Sequence, residues 1–182
     1  MLKSQKIFNQ LMNGKVINRQ IIVNDCMVVN EDFLEIMKNI EEYRLQYQMC
    51  GFNFIENENY VYIIDKNRAD EPKTDVSMHA QILLVMIGKF LNDNNYSFSK
   101  ITSIDAGLTL SDIETIQAMS DTEELMERSG MKKDKVLDNI RNILVDRNIM
   151  LENITSRTFI LSEIGIQFYE DLKPMYSQEE MK

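Results

Sequence analysis

A chain of 182 residues, 44% apolar and 27% charged with a formal net charge of −9, can form one ordinary domain or two small ones. That balance excludes a disordered or collagen-like chain. It also argues against a surface that wraps nucleic acid, which needs Lys and Arg for phosphates, but leaves room for a local basic edge.

In chain order, QKIFNQLMN (5–13) reads as a short amphipathic helix stopped by Gly14. The β-branched, Asn-punctuated stretch 16–30 predicts short extended pieces or turns. Asn30 is an N-cap, with Glu31, Asp32 and Glu35 supplying negative charge to the first turn. Phe33, Met37, Ile40 and Tyr47 then recur at helical spacing, predicting one helix of about 18 residues. GFNFIENENYVYIID (51–65) is a β-hairpin, two apolar runs around Asn-rich turn residues.

The polar segment KNRADEPKTD (66–75) is the best linker in the chain. It divides residues 1–66 from 76–175, with 67–75 between them and a polar tail at 176–182. A strongly apolar helix follows from Val76 to Leu91, its Ile82, Leu83, Val85, Met86, Phe90 and Leu91 nearly encircling it. Thr109 or Ser111 caps the next helix, and TEELMERSG adds another turn or two up to Gly130. KKDKVLDNIRNILVDR (132–147) predicts a second long helix, NIMLENITSRTFIL (148–161) a second hairpin, and SEIGIQFYEDL a last helix capped by Ser162 and ended by Pro174.

Helices followed by a two-stranded hairpin thus occur twice. The predicted fold is α+β and mainly helical, with two winged-helix units in tandem, each hairpin being a wing. Cys26 and Cys50 form no C-x-x-C or Cys/His cluster and read as buried or half-buried small apolar groups. His79 has no nucleophile or metal-ligand partner at a recognisable spacing. The longest apolar run, ILLVMIG (82–88), is far shorter than the roughly 20 residues that span a bilayer. The amino terminus lacks a signal-peptide core, so a cytoplasmic protein without membrane attachment is expected.

Three functions compete. DNA recognition needs cations on a helix and wing. The first unit is acidic there, with Glu31, Asp32, Glu35, Glu41 and Glu42 against Lys38 and Arg44. The second offers Lys132, Lys133, Lys135, Arg141 and Arg157 as a candidate DNA edge. Protein assembly is suggested by YVYIID, whose two faces are both apolar although a wetted wing should alternate. Tyr60, Tyr62 and Ile64, with Phe90 of the apolar helix, are the candidate partner surface, to be covered by the other unit, a second subunit or a bound peptide. Catalysis has no support: there is no phosphate-cradling Gly loop and no Ser/His/Asp or Cys/His set, so no cofactor or metal is expected.

The charged helix after NED with its spacing FLEIMKNIEEYRLQY, the hairpin GFNFIENENYVYII and the apolar helix MHAQILLVMIGKFLND together resemble the MukE/MksE subunits of bacterial condensin-type SMC complexes. The resemblance runs from about Ile7 to Leu172 in order and spacing of elements, and the chain's shortness is similar to the MksE branch. It implies a non-catalytic, nucleoid-associated homodimer that binds a kleisin subunit of the MukF/MksF type. Through the kleisin it would join an SMC-type ATPase and assist DNA holding in chromosome segregation or plasmid exclusion. The alternative is a stand-alone winged-helix DNA-binding transcription regulator.

Overall fold

The computed structural model describes residues 2–68 and 75–176. Its first half runs α1 (Lys3–Met12), β1 (Ile17–Asn18), β2 (Gln20–Val23), β3 (Cys26–Val29), α2 (Glu31–Lys38), α3 (Ile40–Met49), β4 (Phe52–Glu56) and β5 (Tyr60–Asp65). The sheet order is β1-β5-β4, antiparallel throughout, while β2 and β3 form a separate hairpin. Helical and strand periods bring Ile7, Leu11, Ile17, Phe33, Ile36, Tyr43, Tyr47 and Val61 into one core. The Tyr47 ring stacks between Phe8 at 6.2 Å and Phe54 at 5.5 Å. Burial pushes its hydroxyl far above the usual tyrosine range.

Asn30 caps α2 as its sequence position predicts, accepting from the Asp32 N–H at 2.9 Å. The buried Asp32 carboxylate is neutralised by Lys6 at 2.7 Å and accepts from Gln10 at 2.9 Å, which ties α1 to α2. The single helix expected over 31–48 is instead two. Asn39 breaks it at φ −120°, ψ 35°, donating its side-chain amide to the Glu35 carbonyl at 3.2 Å and carboxylate at 2.9 Å. An asparagine that bonds the preceding turn this way competes with the helical ladder. Both cysteines are exposed rather than buried: Cys26 stands on β3 and Cys50 just past α3.

The second half runs α4 (Asp75–Asp93), α5 (Leu110–Ala118), α6 (Ser120–Ser129), α7 (Val136–Asn139), β6 (Met150–Asn153), β7 (Thr158–Leu161) and α8 (Glu163–Tyr176). Leu108 bridges Phe159, so β7 lies between a one-residue strand and β6, just as β5 lies between β1 and β4. Thr109, not Ser111, caps α5. Its hydroxyl accepts from the Asp112 N–H at 3.1 Å, and the Asp112 carboxylate accepts from the Thr109 N–H at 2.8 Å, a reciprocal capping box. The core gathers around α4 and includes Leu83, Leu84, Met86, Ile87, Phe90, Ile140, Leu144 and Phe159. His79 Nε2 meets the Ser129 carbonyl at 2.8 Å, fixing α4 against the end of α6.

Three boundaries differ from expectation. TEELMERSG belongs to a full ten-residue helix, α6, which ends at Gly130. The helix expected over 132–147 is a 3-10 turn (Lys133–Lys135), the short α7 and a π-helical stretch (Ile140–Val145). α8 continues past Pro174 to Tyr176; a proline this near the end removes at most one ladder bond. The proposed linker falls mostly on residues 69–74, outside the described residues. Among the described residues, no helix is long and apolar enough to cross a membrane.

Candidate partner-binding groove

Two asparagines lock the halves together. Asn18, at 1% exposure, donates its amide to the Asn148 carbonyl at 2.8 Å and accepts from the Ile164 N–H at 3.2 Å. Asn148, in the left-handed region at φ 59°, donates its own amide to the Val16 carbonyl at 2.7 Å. The Val16 N–H returns a bond to the Arg147 carbonyl at 3.1 Å. Around this pair, Lys15 meets Asp146 at 2.7 Å and Glu163 accepts from the Gln20 N–H at 3.0 Å. Burial pushes the Glu163 carboxyl above the usual range, against the backbone N–H groups of Gln20 and Arg19 that pull it down.

Beside the junction lies a groove of about 890 Å³. Tyr62 and Ile64 of β5 form one wall, Ala80 and Leu84 of α4 a second, and Phe168 and Leu172 of α8 a third. Its lining is mainly apolar, the composition that buries a side chain or an extended peptide. Charges mark the rim, with Asp65 and Asp171 as acids and Lys15 and Arg147 as bases. Lys15 is already neutralised by Asp146, but no acid among the described residues pairs with Arg147. Its Nε is buried without a hydrogen-bond partner and its Nη1 reaches the Gly14 carbonyl at only 3.5 Å. The Tyr62 hydroxyl is pushed above its ordinary range by burial, with Tyr60 and Asp171 adding to it.

Gly14 makes room for this arrangement. It sits at φ 72°, and a Cβ there would come within 2.6 Å of Arg147 Nη1. Only glycine takes both the left-handed backbone and the close approach without strain.

The structure brings two of the four partner-surface candidates, Tyr62 and Ile64, into the groove wall. Tyr60 lies beside them, its ring 6.1 Å from that of Tyr62. Phe90 is elsewhere: at 2% exposure it packs in the second core against Tyr96, so it offers no surface to a partner. The basic candidates differ in exposure. Lys132, Lys135 and Arg157 are exposed, and the side chain of Lys133 lies outside the described residues. Arg141 is engaged internally, donating to Glu152 at 2.6 Å and lying 5.7 Å from the Phe159 ring centre. Residues that sequence reasoning missed, such as Lys15, Val16, Arg147 and Ile149, come from segments more than a hundred positions apart. Of the missed lining, Ala80 and Leu84 on α4 and Phe168 and Leu172 on α8, each pair one turn apart, carry a local signal.

A family model described as condensin complex protein MksE matches residues 3–173. No curated protein and no solved structure matches the chain.

Proposed function

The chain belongs to the MksE family of condensin complex proteins, and from that membership we propose that it is a non-catalytic adaptor whose groove holds an extended segment of a kleisin subunit. The observation that carries this reading is the groove itself. It is an open apolar channel between the two halves, lined in part by the half-buried Arg147, which has no acidic partner among the described residues and whose Nε is buried without a hydrogen bond. A kleisin segment with apolar side chains and one carboxylate would cover the lining and satisfy that cation. Through the kleisin the adaptor joins an SMC-type ATPase on DNA, working as a homodimer in the cytoplasm.

The repeated order of helices, a short first strand and a hairpin, with the last strand in the middle of each sheet, supports winged-helix units at 1–66 and 76–175. The exposed Lys132, Lys135 and Arg157 support a DNA edge on the second unit, whereas Arg141 is taken up by Glu152. The acidic α2 and α3 of the first unit weigh against a stand-alone DNA-binding regulator.

Ile64, at 38% exposure, gives the cleanest test. Ile64→Asp puts a carboxylate into the apolar wall of the channel, where it competes with the kleisin's own carboxylate for Arg147, without opening a core. Desolvating it should weaken kleisin capture by about 100-fold or more. The expected result is loss of kleisin co-purification with an unchanged melting curve. Full retention of the kleisin would overturn the assignment of the groove.

A further inference from the structure

The β2–β3 hairpin plays no part in the groove, and the outer edge of β3 is open. Its register pairs Gln20 with Val29, Ile21 with Val28, Ile22 with Met27 and Val23 with Cys26. The Asn30 N–H donates to the Arg19 carbonyl at 2.7 Å, so hydrogen-bonded and non-hydrogen-bonded pairs alternate from there. Gln20 and Ile22 therefore direct their N–H and C=O groups away from β3, and Met27 and Val29 direct theirs away from β2. Gln20 bears this out, since its N–H donates outward to Glu163 on α8 at 3.0 Å. No acceptor among the described residues takes the N–H of Met27 or Val29.

The free edge of β3 is apolar and unguarded. Natural edge strands are blunted by charges, proline or bulges, yet β3 reads Cys26-Met27-Val28-Val29 and carries none of these. Cys26, Val28 and Val29 are exposed. A two-stranded hairpin is marginal by itself, and further strands stabilise it.

We infer that β3 pairs antiparallel with β3 of a second copy across a two-fold axis at Val28, forming a four-stranded sheet. This deepens, and rests on, the homodimer reading above. Only one register uses all four free groups. It sets Met27 opposite Val29 of the other copy and Val29 opposite its Met27, both as hydrogen-bonded pairs. Val28 then faces its own equivalent in the close, non-hydrogen-bonded position.

Geometry favours a second copy as the occupant, because the free groups of Met27 and Val29 lie symmetrically about Val28 and pair fully with their own equivalents. Two chains of net charge −9 repel one another over most of their surfaces, but neither β2 nor β3 contains an ionisable acid or base other than the Cys26 thiol. The strand ends bring Asp25 towards the other copy's α2, where Glu31 is already paired with Lys3 at 3.4 Å. β3 leads through Asn30 straight into α2, which exposes Leu34 and Met37 and supplies apolar area that strand pairing alone lacks.

The test uses the full chain with Cys26→Ser and Cys50→Ser, to which Val28→Cys is added. Opposed residues in a non-hydrogen-bonded antiparallel pair lie within disulfide range, so mild oxidation should convert V28C to a covalent dimer. A second variant, Val29→Pro, removes one outward N–H per copy and spares the hairpin's own ladder. By symmetry two intermolecular bonds go at once, and dimerisation measured by sedimentation should weaken about tenfold or more at an unchanged melting curve. A dimer that neither cross-links through V28C nor weakens in V29P would overturn the strand pairing while leaving the homodimer reading intact. A chain that stays monomeric at all concentrations would overturn both. Cross-linking of V28C to the kleisin in place of a second copy would also overturn the pairing.

Discussion

Replacing Asn18 by alanine tests the junction most sharply. The side chain is 1% exposed and makes two bonds across the halves, at 2.8 Å to the Asn148 carbonyl and at 3.2 Å from the Ile164 N–H. Each bond contributes about 0.5–1.5 kcal/mol, and the Ile164 N–H, left buried and unpaired, costs about 1–3 kcal/mol more. The Asn148 carbonyl keeps the Ser162 hydroxyl at 2.7 Å and loses less. The expected total is about 3 kcal/mol, a fall of about 6–12 °C in Tm for a chain of this size. Guanidinium denaturation followed by circular dichroism measures it. Asn18→Asp is the control: it accepts from Ile164 but sets a carboxylate oxygen against the Asn148 carbonyl. Its carboxyl is then raised in the folded chain, so N18D should gain stability as pH falls from 7 towards 4. Stability of N18A within about 0.5 kcal/mol of the parent would refute the role given to this pair.

Gly14→Ala forces a Cβ onto Arg147 Nη1 at φ 72° and should cost about 1–2 kcal/mol by thermal melting. Because Arg147 must move, kleisin affinity should fall as well. In Gly165→Ala the new Cβ would collide with the Ile149 backbone carbonyl, which cannot swing aside. A loss of about 3 kcal/mol or more is expected, visible as a lowered denaturation midpoint. Burial pushes the Asp112 carboxyl up, but Lys100 at 2.8 Å and the N–H and hydroxyl of Thr109 outweigh it, so it titrates below the usual range. Its contribution is therefore complete above the unfolded value of about 3.9 and is lost as pH falls through the depressed folded value. The stability difference between the parent and Asp112→Asn should stay constant from pH 7 to about 5 and shrink only in stronger acid.

Local chemistry was legible where it acts alone. Asn30 and Ser162 cap helices as their positions predict, with Ser162 accepting from the Gly165 N–H at 3.2 Å. Both hairpins close around their polar turns. The break at Asn39 was hidden because the apolar period of Phe33, Met37, Ile40 and Tyr47 runs straight through it. Competition by one side chain leaves no mark on periodicity. The surface role first given to Phe90 has a similar origin: α4 is apolar nearly all round, and such a helix does not say which face meets the core. Half of the groove was visible as the two apolar faces of YVYIID. The other half, where Lys15 and Val16 meet Arg147 and Ile149 beside the Asn18–Asn148 lock, depends on contacts between residues about 130 positions apart. No local pattern encodes those.

The channel between the halves is proposed to receive a kleisin. The most direct measurement replaces Tyr62 with a photo-crosslinking phenylalanine analogue in the native cell and maps the adduct by mass spectrometry. An adduct is expected on one extended, apolar segment of a kleisin subunit bearing an acidic residue, lost when Ile64→Asp is added. A Tyr62-site adduct with no kleisin peptide, from cells in which the chain still co-purifies with the kleisin, would contradict it.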